Sequence, residues 1–465
     1  MLTLKPLTAR DAAKLARYYK NCDYQLCEYS VGVKLMWRDT LHYSIGEAAG
    51  CLITASKANE SLSFDFPVPG ENGDVEAALE EIEAYCAANG IPLNFAVVPE
   101  REFFNLALRY PRYQLINRRA WCDYLYRSED MQDFPGRRYS GQRNHINRFR
   151  RLYPEARFRA LGEEDKELVG QFFADYAAVF EKTSGSAKRE LKLSQKMFEQ
   201  RGKPWFYTGG MELDGRLISV CLGEICGETM IVHIEKALYG YEGVYPVTVS
   251  EFARCFGDGV RFFNREDDAA DKGLRTSKLQ YLPVRLAGKL SIKTQNELQK
   301  LTELPVLTTE RLTLSAFEEK DKAAYNAICL DDARNKWWGY DYRKDYDGSP
   351  IEDYFLKVTR EDFAARTAAN FAIRLNGECI GEAVLYRFDA KGTAELGCRI
   401  APSFSKNGYG VEAFAAVADW ALYKLQLRAV VAKCYKENTA SFRMLSSCMR
   451  RAGEDETFFY FRKEV

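Results

Sequence analysis

The stretch SKNGYGVEAFAAVADWAL, residues 405–422, decides how this chain is read. Just before it, AELGCRI (394–400) alternates apolar and polar residues as a half-buried strand does. After a short turn, Asn407-Gly408-Tyr409-Gly410 leads into an amphipathic helix, whose stripe Val411, Phe414, Ala418, Ala421 and Leu425 is its core face. Two glycines at a helix start let backbone N–H groups approach a phosphate closely, and the helix dipole favours negative charge there. Strand, glycine turn and helix in this order predict a pyrophosphate cradle made by the N–H groups of Asn407, Gly408, Tyr409, Gly410 and Val411. A nucleotide-bearing cofactor is the group that needs one.

Working outward, the same block begins with a strand at Thr308 and has helix patterns at 319–330 and 352–367. NFAIRL and CIGEAVLY form a hairpin turning at Asn376-Gly377. Strand RAVVAKC (428–434), helix 439–449 and strand TFFYFRK (457–463) close the block. Strands and helices in this mixture make it α/β or α+β. Upstream, residues 1–125 and 126–300 read as two further blocks, and the polar string TQNELQKLTEL (294–304) as a linker or short helix before the last block, 301–465. A chain of 465 residues is expected to hold two to four domains. Residues 258–293 read as an irregular, charged tail.

Formal net charge is zero, so whole-chain electrostatics do not predict a polyanionic partner. Locally, residues 137–159 hold eight arginines and one acid, Glu155. No run reaches the length of a membrane span, and no leader pattern opens the sequence. Thirteen scattered cysteines without metal or redox spacing read as reduced core thiols of a cytoplasmic protein, and three distant histidines argue against a histidine metal site.

In this order the C-terminal elements resemble a GNAT acetyltransferase, nearest the branch that acetylates ribosomal-protein and other amino termini. Thr309-Glu310-Arg311-Leu312 resembles that branch's first strand, the glycine turn its Q/R-x-x-G-x-G/A signature, and Asn438-x-x-Ser441 its second cofactor-side motif. Three positions depart from the pattern. Ser405 stands where the signature has Gln or Arg, Ser315 replaces the usual arginine of the first strand, and Met449-Arg450 replaces Gly-Phe.

The resemblance implies acetyl-CoA as co-substrate and direct attack of an amine, from a small molecule or a protein N-terminus, on the thioester. Cys398 and Ile400 on the strand would meet the pantetheine arm, and Asn438 would hydrogen-bond it. Ser441 is the candidate donor to the departing sulfur. Glu395 is the candidate base, and on a strand it shares a face with Gly397 and Arg399. The plain alternative for Glu395 is a surface ion pair with Arg399.

The first 293 residues lack a comparable glycine turn and carry polar strings instead. GRRYSGQRNHINRF brings Arg143, Asn144 and Asn147 together at helical spacing. VHIEKA ends a strand with Glu235-Lys236, and FNREDDAADKGLRTSKLQYLP sets Asn264, Glu266, Arg275 and Lys278 after another. These strings resemble a bacterial family related to the catalytic domain of phosphatidylglycerol lysyltransferases, built of two tandem GNAT-like folds. The chain would then hold three GNAT-like units. The lysyltransferases take an aminoacyl group from a charged tRNA, so the nine residues just named are candidate substrate contacts, and the arginine-rich stretch is a candidate tRNA contact. Solvated, ion-paired loops are the alternative.

Three functional readings follow. The first is an acyltransferase whose C-terminal domain acetylates an amine beside an acyl- or aminoacyltransferase-like N-terminal module. The second is an aminoacyl-tRNA-dependent transferase, and the third a non-catalytic CoA-binding scaffold.

Overall fold

The computed structural model describes residues 2–58, 61–179 and 185–465. Two compact units emerge, one from Met1–Phe104 with Leu115–Lys293, the other from Asn105–Gln114 with Thr294–Val465. The fold is α+β, with three mixed sheets. Among the described residues no helix is long and apolar enough to cross a membrane.

Each sheet contains one parallel pair bridged by a helix, and its other described pairings are antiparallel. In the first sheet Ser61–Asp65 runs parallel to Asn94–Pro99, joined through the helix Val75–Ala88. In the second, Thr229–Ala237 runs parallel to Phe262–Asn264, joined through Val244–Phe256. In the third, Thr393–Ile400 runs parallel to Ala429–Tyr435, joined through Tyr409–Tyr423. A parallel pair needs such a crossover, whereas the flanking antiparallel strands need only turns.

The first two sheets exchange strands. Asp123–Arg127 leaves the first block to pair with Phe262–Asn264, and Lys289–Thr294 returns to pair with Asn94–Pro99. The expected cut at residue 125 therefore falls inside a strand of the second sheet. Residues 258–293 are not an irregular tail. They hold the strands Phe262–Asn264, Arg285–Ala287 and Lys289–Thr294 and the helix Lys272–Gln280. The short helix Val31–Trp37 and the helix Gly185–Phe198 were also not foreseen. The sequence pattern at 163–181 reads as a helix; the helix runs Lys166–Val179, and residues 180 and 181 lie outside the described residues.

In the third sheet the sequence reading holds closely. Asn376 and Gly377 have φ of 50° and 87°, the left-handed pair that a two-residue hairpin requires. Phe414, Ala418, Ala421 and Leu425 are buried on the sheet, against Leu385, Ala394, Leu396 and Ala432, while Val411 is exposed at the helix start. Thr309-Glu310-Arg311 is not strand but the tight turn between Leu307–Thr308 and Leu312–Ser315.

Candidate active site

The three parallel pairs end differently, and the difference locates the site. In the third sheet, register stops at Glu395↔Val431, although the strands run on to Ile400 and Tyr435. Their outer partners stay paired to the end, at Gly381↔Ile400 and Tyr435↔Phe458. The two strands thus splay, and backbone groups along the split have no strand partner. An extended, amide-bearing ligand arm satisfies such groups.

The other two junctions are filled by protein. At the end of the first pair, Lys34 Nζ donates to Asp65 Oδ2 at 2.6 Å, both fully buried. Beyond the second pair, His233 Nδ1 lies 2.8 Å from Glu266 Oε1, and Arg265 Nη2 is 2.7 Å from Glu235 Oε1.

At the head of the third split, Gly408 caps the helix Tyr409–Tyr423 at φ 82°, ψ −4°, and as a glycine it brings no side-chain cap to the first-turn N–H groups. A left-handed residue here suits glycine. The turn is braced from outside. Arg311 donates from Nη1 to the Asn407 carbonyl (3.0 Å) and from Nε to Glu412 (2.7 Å), which Thr309 Oγ1 also meets. That explains the Thr-Glu-Arg-Leu motif as a clamp on the helix start rather than a strand. Asn407 spends its own side-chain amide on the carbonyls of Phe404 and Ser405. Arg334 Nη2 donates to Ser405 Oγ at 2.8 Å, and Nη1 to the Ile400 carbonyl at 3.1 Å.

A cavity of about 510 Å³ opens beside the split, lined by Glu395, Gly397, Cys398, Arg399, Lys433 and Ser441 among others. Glu395 accepts from Tyr386 Oη and Arg387 Nη1, each at 2.8 Å. Its cationic partner is Arg387 and not Arg399, because Arg399 is drawn inward to Glu382 (2.8 Å) and the Trp338 ring. Trp338 reaches this position over the bare Gly397, where a Cβ would come within 3.1 Å of the indole. The Cys398 thiol faces the Gly410 carbonyl, and burial pushes it up to about 12. Ile400 stands 3.5 Å from where a Cβ on Gly410 would lie. Asn438 caps the helix Thr439–Cys448 by accepting from Ser441 N (3.1 Å), which occupies its carbonyl oxygen and leaves the NH₂ as donor.

The N-terminal candidates scatter. Arg143 donates to the carbonyls of Phe134 and Gly136, and Asn144 and Asn147 are exposed on the helix Ser140–Leu152. Arg138, Arg148, Arg150 and Arg159 each meet a carboxylate. Lys236 pairs with Glu190 at 2.9 Å, and Arg275 with buried Asp268 at 2.9 Å. Asn264, Glu266 and Lys278 do converge, with Asn264 bonded to Asp123 and Lys278 Nζ on the Arg265 and Glu266 carbonyls.

Around them lies a cluster that the sequence did not reveal. Cys27, Glu28 and Asp123 place potential ligand atoms within 4.8 Å of one another, the chemistry of a metal site. Lys289 Nζ stands in the cation's place, 2.7 Å from Asp123, 2.8 Å from Glu28, 3.1 Å from Asp267 and 3.2 Å from Cys27 Sγ. Burial nevertheless raises Glu28 to about 7. Burial also opposes charge on His233, but Glu224 and Glu266 prevail and raise it to about 9.

Comparison with known proteins agrees with this division. Residues 20–290, more than half of the chain, match the family described as phosphatidylglycerol lysyltransferase, C-terminal, and residues 311–448 match the acetyltransferase (GNAT) domain. A protein of unknown function from Bacteroides thetaiotaomicron is similar over 63% of this chain and 100% of its own, at 25% identity and a TM-score of 0.54. The uncharacterized N-acetyltransferase YnaD of Bacillus subtilis is 29% identical over 159 residues, 32% of this chain and 84% of that protein. A GNAT-family acetyltransferase from Bacillus anthracis covers 34% of this chain and 98% of its own, at 23% identity and a TM-score of 0.30. The C-terminal domain is an acyltransferase domain, and acetyl-CoA is the donor that goes with it. The chain belongs to the phosphatidylglycerol lysyltransferase C-terminal family and carries a GNAT acetyltransferase domain after that region.

Proposed function

We propose that residues 301–465 transfer the acetyl group of acetyl-CoA to a primary amine, and that the open split between Thr393–Ile400 and Ala429–Tyr435 receives the donor. The open split is the observation that carries this reading, since the other two junctions are occupied by ion pairs. The residues present fit the donor. The uncapped first turn after Gly408 offers N–H groups to a pyrophosphate. Gly410 supports the same reading. Its φ is not left-handed, and a Cβ there would make only ordinary contacts with Ile400 and Met444 at 3.5 Å, so the fold itself does not require glycine at this position.

The donor supplies an activated acyl carbon. Glu395, oriented by Arg387 and Tyr386, takes the proton from the attacking amine, directly or through a water. Ser441, at the opposite wall, donates toward the sulfur as the C–S bond breaks. Cys398 and Ile400 shape the arm's channel, and the Asn438 NH₂ is its side-chain donor.

The N-terminal unit we read as two further acyltransferase-type units fused by strand exchange, forming an acyl- or aminoacyltransferase-like module. Pairing of Arg148 with Glu242 and Arg150 with Glu251 removes much of the positive field that a tRNA backbone would need. Thirteen free cysteines agree with a reducing, cytoplasmic setting.

The test is thermal unfolding of the full chain with and without acetyl-CoA. Ligand at 100 times its Kd stabilises the domain it binds by about 2.7 kcal/mol. A shift that disappears in Gly410→Asp, whose carboxylate repels a pyrophosphate, supports the reading. No shift in the unaltered protein overturns it.

A further inference from the structure

We propose that the amine acceptor of the C-terminal site is an α-amino acid with an aromatic side chain, its free carboxylate received by Lys433. This rests on the acetyl-transfer reading above.

The argument begins with the two faces of the sheet. Ala432 and Cys434 pack with the helix Tyr409–Tyr423, so the alternation of the strand sends Lys433 and Tyr435 to the opposite face. Register places Glu395 and Gly397 on that same face, with Tyr386 and Val384 beside them and Asn370 next to Val384. The acceptor side of the cavity is therefore separated by the sheet from the turn that would hold the pyrophosphate.

The charged residues of the cavity lining are three carboxylates, Glu382, Glu395 and Asp362, and three cations, Arg387, Arg399 and Lys433. Of its carboxylates, Glu382 is met by Arg399 and Tyr325, and Glu395 by Arg387 and Tyr386. Burial raises the carboxyl of Asp362, which Thr367 and Asn370 meet. Arg387 and Arg399 are thereby used. Lys433 meets no carboxylate among the described residues, and its ammonium lies 4.7 Å from the Phe458 ring centre. An ammonium that meets no carboxylate and sits beside an aromatic ring at the cavity wall is a place for an anionic group.

The wall itself is aromatic. Trp337 lies 5.8 Å from Tyr435, and Tyr435 lies 4.6 Å from Phe458, centroid to centroid. Flat side chains stack on such rings. Deeper in, Asn370 is 6% exposed, lines the cavity and faces the carboxyl of Asp362. The ligand needs an amine at Glu395, an anion at Lys433 and a flat body between them.

The experiment uses the full chain with acetyl-CoA, following thiol release with L-tyrosine, L-phenylalanine, tyramine, phenethylamine, L-alanine, spermidine and a tetrapeptide with a free N-terminus. The aromatic amino acids are expected to exceed their decarboxylated amines at least tenfold in kcat/KM. In Lys433→Met that ratio falls toward one, and Lys433→Arg restores it. Tyramine, spermidine or the tetrapeptide turning over as well as L-tyrosine overturns the proposal, and that comparison needs no variant to fold. A thermal shift with acetyl-CoA but no turnover of aromatic amino acids overturns the acceptor class alone. Absence of the shift overturns the acetyl-transfer reading as well.

Discussion

Arg334 donates to the Ser405 hydroxyl at 2.8 Å, so a guanidinium stands beside the glycine turn at the position where the acetyltransferase signature carries a Gln or Arg in the strand-to-helix loop itself. The same substitution by proxy occurs at Ser315, which replaces the usual arginine of the first strand and accepts from Arg374 Nη1. In both places serine has taken the backbone position and an arginine from a distant element has supplied the charge. At Ser315 the Arg374 guanidinium is also paired with buried Asp321, whereas Arg334 lies beside the turn itself.

The first prediction follows from that pair. Arg334→Ala removes the guanidinium and leaves the turn intact, because Arg311 and Glu412 still brace it. Loss of one charge-assisted contact is expected to weaken acetyl-CoA binding about tenfold. Ser405→Arg in the Arg334→Ala background should recover most of the loss. Isothermal titration of the full chain with acetyl-CoA reads both. Unchanged affinity in Arg334→Ala would show that the guanidinium only buttresses the Ile400 carbonyl.

Glu395→Gln keeps the size of the side chain and its bond from Tyr386, and removes the base. The expected result is a fall in kcat of about 10²-fold, within the range of general-base contributions. Acetyl-CoA affinity should stay as it was, and the residual rate should rise with pH as more of the amine loses its proton unaided. A loss of donor affinity equal to the loss of rate would make Glu395 a packing residue held by Arg387.

His233 gives a pH test of the N-terminal unit. Its folded pKa of about 9 lies above the ordinary 6.5, because Glu224 and Glu266 favour the imidazolium against the cost of burial. A raised pKa means a contribution fully present below pH 6.5 and lost as pH passes through 9. The contribution is on the order of 3 kcal/mol. Glu28 is raised from 4.5 to about 7, so its own contribution fades below the window in which His233 titrates. Tm of the full chain should therefore fall between pH 7 and pH 10, and fall less in His233→Gln. Parallel curves for the two proteins would mean that His233 is neutral in the fold.

How much of this was legible in the sequence depends on the distance over which each feature is built. The third sheet could be read because its signals are local. Asn376-Gly377 makes a hairpin from two residues, and Gly408 starts a helix within one turn. The strand exchange could not be read. Asp123–Arg127 and Lys289–Thr294 find partners more than a hundred residues away, and nothing in five or six residues encodes which sheet they join. The site residues divide in the same way. Glu395, Gly397 and Arg399 share a face, as alternation requires, but the partner of Glu395 was set by Trp338 and Glu382 drawing Arg399 inward. Asn264 and Glu266 were found as polar residues after a strand, yet Lys289 and Asp123, which give their surroundings their charge, lie in strands that sequence alone left unassigned.

Lys289 gives the last prediction. Its ammonium is 4% exposed and is held by Asp123, Glu28, Asp267 and the Cys27 thiol, so the protein carries its own cation where the ligand chemistry would suit a metal. Lys289→Met keeps the stem and deletes the charge, and buried Asp123 then faces Glu28 and Asp267 with nothing to neutralise them. Breaking a buried ion pair from one side costs about 3–5 kcal/mol. The full chain should unfold at correspondingly lower urea. Lowering the pH toward 5 should recover part of the loss as the orphaned carboxyls take up protons. Added Zn²⁺ provides a second readout. If the pocket can take a metal once the lysine is gone, Zn²⁺ restores the midpoint of Lys289→Met and leaves the unaltered protein where it was. A midpoint unmoved by the substitution itself would mean that the carboxylates are already protonated and that Lys289 is not what holds the two exchanged strands together.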